Sequence, residues 1–483
     1  MKSLFKRKPL RSSVVEIEEG QHELKRHLKA IHLTAIGIGA IIGAGIFVIT
    51  GQGAALYAGP AVVFSFIIAA FICTLAGLCY AELASLIPVA GGSYAYSYIA
   101  LGELPAWIVG WAVCGQYLIS ASTVAVGWSG YFISLLKDFG IVLSEVFIKA
   151  PFSYQSDAGW QWSGALFNLP AIVLALLLGV LISIGIRAAA HFNNVMVAVK
   201  LITVILFIII GIPYINTDNW IPFIPENTGV FGDFGFSGIL RGAGIVFFAY
   251  IGFDTVSTLA QDAVHPQKDI PRGVLGSLFI CTAAYIIVSL VIVGVVHYTK
   301  LNVPDPMAVA LQAMGAKFFW FKFIIKMAII AGLTTVVLVQ MLGQSRMFMA
   351  MSKDGLLPQA FGKLHKKTKT PVFSSVITTL VVALIAGIFS VEVLAQLVSI
   401  TSLFIFAIVC LGVLILRKTH PEFHRAFKVP LVPFVPLLGI AACIVQMCML
   451  PLVTWFQIFG WMVLGTLIYF GYSIRHSKVR TSR

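Results

Sequence analysis

Three features of this sequence place reactive or binding groups inside an otherwise apolar chain. The first is a run of four glycines in nine residues, from Gly37 to Gly45. The second is a carboxylate, Asp254, in an aromatic stretch, and the third is an amine, Lys200, between long apolar runs. Ionisable groups in such surroundings mark substrate or proton pathways. Neither has a nucleophile or a metal ligand set beside it.

The glycine run allows two interpretations. Each glycine weakens a helix by about 1 kcal/mol relative to alanine. The run could form a close-packing face between helices, supplied by Gly39 and Gly43. It could equally be an unwound turn, whose free amides at the start of a half-helix hold a carboxylate. Spacing alone favours neither interpretation.

Charge inside a bilayer is expensive, so Asp254 and Lys200 each need an explanation. An Asp at the centre of a membrane helix costs roughly 2.5–3.5 kcal/mol. Asp254 could instead lie near a helix end and be hydrated there. Lys200 lies about eight residues into its apolar run, roughly 12 Å along a helix axis. It could extend to the membrane surface, pair with an acid, or take up and release a proton.

Membrane-spanning helices must position these groups. Of 483 residues, 59% are hydrophobic and 11% are charged, against about 45–50% and about 25% in an ordinary soluble domain. The chain holds twelve apolar runs of a length that can cross a bilayer, about 17–25 residues. They lie at 31–57, 60–87, 103–136, 169–187, 192–213, 237–260, 273–297, 318–350, 374–390, 393–416, 431–451 and 454–474. The sequence therefore predicts an all-α membrane protein with about twelve transmembrane helices.

Positive charge is distributed unevenly along the chain. The 33 Lys and Arg exceed the 19 Asp and Glu, and 25 of the 33 fall on one side when twelve helices are threaded through a membrane. That asymmetry is typical of the cytoplasmic face of a membrane protein, so it does not indicate a nucleic-acid partner. Both termini are expected in the cytoplasm, with the chain in the cytoplasmic (cell) membrane. The polar first 30 residues do not resemble a cleavable signal peptide.

Five motifs resemble those of the amino acid–polyamine–organocation (APC) superfamily of permeases. They are the run Leu28 to Gly51, the loop Pro88 to Tyr96, the segment Phe247 to Asp254, and signatures that begin at His265 and Gly343. Bacterial members of the cationic amino acid transporter subfamily are the most similar.

The resemblance implies a LeuT-type fold of two inverted five-helix repeats plus two C-terminal helices. The repeats would be 31–213 and 237–416, and a connecting loop with helices 11 and 12 would follow at 417–474. Cytoplasmic segments would lie at 1–30 and 475–483. Corresponding interruptions in helices 1 and 6 of such a transporter mark its substrate site.

The resemblance also implies roles for particular residues. The carboxylate of an amino acid would be held by the backbone of helix 1, at Ile41, Gly43, Ala44 and Gly45. The ammonium would be held by carbonyl groups at the interruption of helix 6, where the site residues are Phe247, Phe248, Ala249, Tyr250 and Ile251. Phe248 would close over the substrate. Lys200 would stand where sodium-coupled relatives hold a sodium ion, and would carry the coupling proton.

One position departs from the subfamily pattern. An acidic residue usually precedes a tyrosine in helix 3, whereas neutral Gln116 precedes Tyr117 here. The missing carboxylate removes a partner for a cationic substrate side chain or for Lys200. Gln116 and Asp254 are therefore expected to act in selectivity or behind the substrate site, and a neutral or broad substrate range becomes at least as well supported as arginine or lysine.

These features predict a secondary active transporter of L-amino acids, proton-coupled and working by alternating access, without enzymatic activity. An amino-acid or polyamine exchanger on the same fold, or an amino-acid sensor that does not transport, would share the site. A channel would need a pore-lining ring or filter, which the sequence does not suggest. The sequence has no GxxxxGK[ST] phosphate loop and no HExxH pair, so neither a cofactor nor a metal is expected. Amino acid, proton and membrane lipid are the expected partners, and the sequence leaves the oligomeric state open.

Overall fold

The computed structural model of the chain describes residues 2–8, 28–87, 91–155, 159–184, 187–259, 263–315, 319–366, 368, 370–423, 425 and 427–481. Parts of several predicted segments lie outside the described residues: 1 and 9–27 of the N-terminal segment, 88–90 of the loop motif, 185–186, 260 and 318 of three apolar runs, 424 and 426 of the connecting loop, and 482–483 of the tail. Within the described ranges the chain is mostly helical, and the sheet found there is a single two-stranded hairpin.

The helices group into twelve membrane-crossing units. In the described part of the chain, eight helices are long and apolar enough to cross a membrane, and four shorter apolar helices accompany them. The long helix Gly45–Leu86 holds the second half of helix 1 and all of helix 2. These two parts separate at Gly59, whose φ is 58°. The predicted all-α membrane fold is therefore confirmed.

The first six helices include the two that are interrupted. Helix 1 consists of Ala30–Ile41 and 45–58, and helix 6 consists of Gly235–Val246, the 3-10 turn Phe247–Tyr250 and Phe253–Thr258. Helices 2 to 5 are Val62–Leu86, Glu103–Asp138, Leu169–Ile184 and Arg187–Gly211. A short helix, Gly92–Ala100, precedes helix 3, and the hairpin strands Phe152–Gln155 and Gly159–Trp162 precede helix 4.

The last six helices are continuous in their central parts. Helices 7 to 9 are Pro266–Val295, Phe319–Lys353 and Val372–Ile388. Helices 10 to 12 are Val391–Thr419, Phe434–Cys448 and Leu452–Ile468, the last continuing through a wide turn to His476. A short helix, Pro306–Ala313, lies between helices 7 and 8. The division into two five-helix repeats stays a prediction.

Helix 7 begins seven residues earlier than its apolar run predicts, at Pro266 rather than at residue 273. Proline suits the first turn of a helix because its missing N–H would have no helical partner there. The carboxylate of Asp269 accepts a hydrogen bond from the backbone amide of His265 at 3.0 Å and so closes that turn. The predicted apolar run does not include this start because the first turns of helix 7 are polar.

The described residues nearest the two termini, 2–8 and 478–481, lie at the same end of the helical bundle, which we call the tail end. A Cβ at Gly102, before helix 3, would lie 2.5 Å from the carbonyl oxygen of Phe5. From the other terminus, Arg480 donates to the carboxylate of Glu103 at 2.7 Å. Helix 3 crosses the bundle from there to Asp138, and the hairpin follows, so we call the opposite end the hairpin end.

Glu103 is the main attachment point of the C-terminal segment. Its buried carboxylate accepts hydrogen bonds from the hydroxyl of Tyr469 at 2.8 Å, from Ser477, and from Arg480. A buried charge is stable only when its partners supply charge and hydrogen bonds. This cluster therefore holds helix 12 and the tail against the start of helix 3.

We expect Glu103→Ala to lower the free energy of unfolding by about 3–5 kcal/mol, because it leaves the Arg480 guanidinium without its carboxylate. Unfolding of the purified protein in detergent measures the change. Glu145→Ala is the control, since Glu145 pairs with Lys149 on the exposed surface, where an ion pair adds little stability. Equal losses in the two variants would contradict the role assigned to Glu103.

Candidate functional site

Helix 1 is interrupted at Ile42 and Gly43. Its first half ends at Ile41, and Ile42 follows in an extended conformation with ψ of 105°. The second half resumes at Ala44 and continues from Gly45 as a wide-turned π-helix. The first amides of a helix have no acceptor within that helix. The amides just after Gly43 therefore begin the second half as hydrogen-bond donors that face the interruption.

Packing and unwinding both occur in the glycine run, at different glycines, while the binding of a carboxylate there stays a prediction. Gly39 is a packing position, because a Cβ there would lie 2.3 Å from a methyl group of Val197 on helix 5. Gly43 lies in the interruption itself, where a Cβ would make ordinary contact with Val336 at 3.4 Å.

Helix 6 is interrupted at Ile251 and Gly252. The 3-10 turn ends at Tyr250, and a new helical segment starts at Phe253. Gly252 has a φ of 122°, a conformation that glycine adopts without the strain a side chain would bring. A Cβ at this position would also lie 2.7 Å from the carbonyl oxygen of Ala40. Glycine therefore permits both the turn and its close approach to helix 1.

The two interruptions lie against each other. A Cβ on Gly45 would lie 2.3 Å from the Cα of Ala249, so the two backbones touch. The hydroxyl of Tyr285, on helix 7, lies 2.6 Å from the carbonyl oxygen of Ala249 and 3.0 Å from that of Ile41. A tyrosine hydroxyl carries a single proton, so these two carbonyls share one donor. Tyr285 thereby joins the interruption of helix 1 to that of helix 6.

A narrow cavity lies beside the two interruptions. Six of the residues predicted for the substrate site line it: Ile41, Gly43, Ala44, Gly45, Phe248 and Ile251. The other lining residues are Ala40 of helix 1, Ser120 and Val124 of helix 3, and Val336 and Gln340 of helix 8. All of these residues are uncharged. Ligand pockets usually measure about 300–1,000 Å³, so this cavity is smaller than a ligand pocket and would have to widen to admit a substrate.

The remaining three predicted residues of helix 6 are not among those that line the cavity. Phe247 packs on Phe406 of helix 10, with ring centroids 5.7 Å apart. The hydroxyl of Tyr250 donates to the carbonyl of Phe66 at 3.0 Å. The carbonyl of Ala249 accepts the bond from Tyr285. These contacts fix the 3-10 turn in place behind the cavity.

Four lining residues, on helices 3 and 8, were not predicted from the sequence. Ser120 and Gln340 are polar side chains within long apolar helices. Because polar residues are uncommon there, these two could have been selected from the sequence as candidate site residues. Val124 and Val336 carry no such signal, because a valine in a membrane helix is ordinary. Their positions follow from the packing of helices 3 and 8 beside helix 1, which a single sequence does not reveal.

Lys200, on helix 5, is buried against helices 1 and 8, with 1% of its surface exposed. Its ammonium donates to the carbonyl of Gly39 at 3.2 Å. Its side chain packs on Gly332, where a Cβ would lie 3.0 Å from the Lys200 Cγ. Among the described residues no Asp or Glu forms an ion pair with it. The side chain therefore points into the bundle rather than towards the membrane surface.

Gln116 and Asp254 are not among the residues that line the cavity. Gln116 is buried in helix 3, beside Tyr117, whose ring packs on Gly343 of helix 8. Asp254 lies in the first turn of the segment Phe253–Thr258. A carboxylate there complements the positive end of the helix dipole, which gives Asp254 a local reason to be acidic.

At the hairpin end, hydrogen bonds fasten the second half of helix 1 to its neighbours. The hydroxyl of Tyr131, on helix 3, donates to the carbonyl of Phe47 at 2.5 Å. The hydroxyl of Tyr57 donates to the carboxylate of Glu392, on helix 10, at 2.5 Å. These contacts hold the bundle together between the cavity and the hairpin end.

We expect Gly252→Ala to destabilise the fold, because alanine rarely adopts a φ of 122° and its Cβ would meet the Ala40 carbonyl. Backbone strain alone costs on the order of 1–3 kcal/mol. Thermal unfolding in detergent measures the loss. Gly460→Ala is the control: nothing lies within 4 Å of a Cβ there, and alanine favours a helix. A control that loses as much stability as Gly252→Ala would contradict this account of the turn.

The chain is similar to three transport proteins over most of its length. It is 44% identical over 477 residues to the methylthioribose transporter of Bacillus subtilis (strain 168), covering 99% of both chains. It is 40% identical over 478 residues to the branched-chain amino acid permease BcaP of the same organism, again covering 99% of both. It is 36% identical over 423 residues to the vacuolar cationic amino acid transporter 4 of Arabidopsis thaliana, covering 87% of this chain and 68% of that protein.

A family model described as amino acid permease matches residues 28–469. That range contains both interrupted helices, Lys200 and every residue that lines the cavity. The family resemblance drawn from the motifs is confirmed: this chain belongs to the amino acid permease family of the APC superfamily.

Proposed function

We propose that this permease moves a small neutral L-amino acid across the cell membrane by alternating access, together with a proton. The observation that carries the proposal is that the interruptions of helices 1 and 6 border one uncharged cavity. Interrupted helices at corresponding places in two halves of a transporter mark the substrate site. In the proposed orientation the tail end, where the positive charges collect, faces the cytoplasm.

The backbone would recognise the part that all amino acids share. The substrate carboxylate would accept hydrogen bonds from the amides of Gly43, Ala44 and Gly45, at the positive end of the second half of helix 1. The substrate ammonium would meet carbonyl oxygens of the 3-10 turn Phe247–Tyr250, which ends the first part of helix 6. The last carbonyls of a helix lack helical partners and carry partial negative charge. Phe248, which lines the cavity, would close over the substrate.

The cavity wall supports a neutral substrate side chain. Val124 and Val336 offer apolar contact, and Ser120 and Gln340 offer neutral hydrogen-bonding groups. A cationic side chain would need a carboxylate, because an unpaired charge is costly away from water. Neutral Gln116 stands where the subfamily has an acid, and none of the lining residues supplies one. Similarity to a permease named for branched-chain amino acids supports the same reading.

Lys200 supports proton coupling. In the first half of helix 1, the carbonyl of Gly39 lies within the last four residues, so it has no helical donor. The Lys200 ammonium supplies that donor at 3.2 Å. Burial without a carboxylate disfavours the charged amine, so loss of its proton is accessible. Loss of the proton would weaken the bond to Gly39, two residues before cavity-lining Ile41, and would thereby couple proton release to the geometry of the site.

A second candidate substrate is methylthioribose, supported by 44% identity to a protein named as its transporter. This thioether sugar is neutral and lacks the ammonium and carboxylate of an amino acid. Its hydroxyls would hydrogen-bond to Ser120 and Gln340, and its methylthio group would contact the two valines. There are two alternative mechanisms: exchange of amino acids or polyamines, and sensing of an amino acid without transport.

Uptake into proteoliposomes tests the substrate and the mechanism together. Radiolabelled leucine, alanine, arginine, putrescine and methylthioribose are compared, each with and without an inward proton gradient and in the absence of sodium. We expect accumulation of a neutral amino acid that depends on the proton gradient. Uptake of methylthioribose alone would replace the proposed substrate. Flux only against preloaded substrate would indicate an exchanger, and binding without flux would indicate a sensor.

We expect Lys200→Ala to abolish accumulation driven by the proton gradient, because it removes the titratable amine beside helix 1. Substrate binding, measured by the thermal shift that leucine produces in detergent, shows whether the variant still folds and recognises its substrate. Lys300→Ala removes an exposed lysine and is the matched control, which should accumulate substrate as the unmodified protein does. Full accumulation by Lys200→Ala with unchanged pH dependence, or a requirement for sodium, would defeat the assignment.

A further inference from the structure

The hairpin carries its aromatic residues on one face. Its strands pair antiparallel, with Phe152 opposite Trp162 and Tyr154 opposite Trp160. Side chains alternate between the faces of a strand, so these four rings share a face. Phe152 meets Trp162 edge-on at a centroid distance of 5.2 Å, and Tyr154 meets Trp160 at 5.7 Å. The hairpin is therefore amphipathic.

On this hairpin, two tryptophans are more exposed than the polar residue between them, which is the reverse of what contact with water would favour. Trp162 is 59% exposed and Trp160 is 45% exposed, whereas Gln161 between them is half-buried. Moving a large aromatic side chain out of water is favourable, by about 25 cal/mol per Å² of apolar surface. An aromatic face with this much exposed surface is favourable when the surrounding medium is itself apolar.

The aromatic face continues into the membrane-facing surface of the bundle. Ser390, just after helix 9, donates its amide to the carbonyl of Phe152 at 3.1 Å. The ring of Phe389 lies 6.2 Å from that of Trp160. Below it, helix 9 exposes a stripe at helical spacing, Phe373, Val376, Leu380 and Leu384. Helix 4 exposes a similar stripe and is joined to helix 9 by the bond from the Asn168 amide to the Gly387 carbonyl, at 2.9 Å.

The chain that leads from helix 3 to the hairpin is exposed and apolar as well. Phe139, Ile141, Val142 and Leu143 expose 36–78% of their surface. The next exposed residues include the ion pair of Glu145 with Lys149, which suits contact with water or lipid headgroups. Aromatic and apolar residues next to such polar groups are typical of the boundary between headgroups and acyl chains.

We propose that residues 139–155 and 159–166, between helices 3 and 4, lie in the lipid headgroup–acyl boundary at the hairpin end, with the Trp160–Trp162 face against lipid. Its partner is the bilayer itself, because the face is continuous with the lipid-facing stripes of helices 4 and 9. The hairpin is held to the end of helix 9, so the contact with lipid fixes the depth of helices 4 and 9 in the membrane. In the proposed orientation this is the outer leaflet.

Spin-label accessibility tests this placement on the full chain in phosphatidylcholine liposomes. Nitroxides are attached at Trp160→Cys or Trp162→Cys in a Cys448→Ser background, since Cys448 is exposed and the other six native cysteines are buried. Leu384→Cys, on the exposed stripe of helix 9, is the lipid reference. Thr228→Cys, in an exposed loop before helix 6, is the water reference.

We expect labels at 160 and 162 to collide with dissolved oxygen as the label at 384 does, and several-fold less with a water-soluble nickel chelate than the label at 228. Chelate collision equal to that at 228 would place the face in water and overturn the proposal. Low collision with both reagents would place protein, such as a second copy of the chain, against it, and would overturn the proposal equally.

A second measurement avoids substitution of the tryptophans. The unmodified protein in liposomes with a photoreactive phosphatidylcholine, its diazirine near the top of the acyl chain, is illuminated and digested. Lipid adducts are expected on the peptide that contains Trp160 and Trp162, as well as on helix 9. Adducts on helix 9 without any on the hairpin peptide would contradict the proposal.

Discussion

The structure depends on how backbone groups are satisfied where two membrane helices stop and start again. Inside a bilayer, each N–H and C=O needs a partner from the protein or from a water-filled cavity. In the first half of helix 1, the carbonyl of Ile38 is bonded by the amide of Ile42. The amine of Lys200 donates to the carbonyl of Gly39, and the hydroxyl of Tyr285 is shared between the carbonyls of Ile41 and Ala249. Two side chains from other helices thus replace the helical partners that the interruption removes.

In the proposed mechanism this arrangement would give Lys200 two functions. It provides a donor for an unpaired carbonyl, and in the proposed mechanism it also carries a proton. An ammonium and a neutral amine both donate, but the charged donor makes the stronger hydrogen bond. In the proposed mechanism, helix 1 would therefore respond to the protonation state of Lys200 at the last turn of its first half, beside the cavity. No chain of intermediate residues is needed between the proton site and the proposed substrate site.

The sequence predicted the fold well, and it predicted some of the residues that line the cavity. Twelve apolar runs mark the helices because a lipid-facing helix must be apolar along its whole length, and that requirement is local. The interruptions were visible as glycines, yet the glycines alone could not separate packing from unwinding, since Gly39 does the first and Gly43 the second. The partners of Lys200 and the contributions of Ser120 and Gln340 depend on which helices meet. That information is spread over residues far apart in the chain, and a single sequence does not contain it.

The site divides into a backbone part and a side-chain part that are free to change independently. Gly45 and Gly252 set how closely helices 1 and 6 approach, because a side chain at either position would strike the backbone of the other helix. Changes there disturb the fold itself. Val124, Val336 and Gln340 line the cavity from helices 3 and 8, and similar-sized replacements would alter its chemistry while leaving the interruptions intact. Under the proposed function, such a division would let a permease change its substrate without rebuilding its core, in keeping with the different molecules for which its relatives are named.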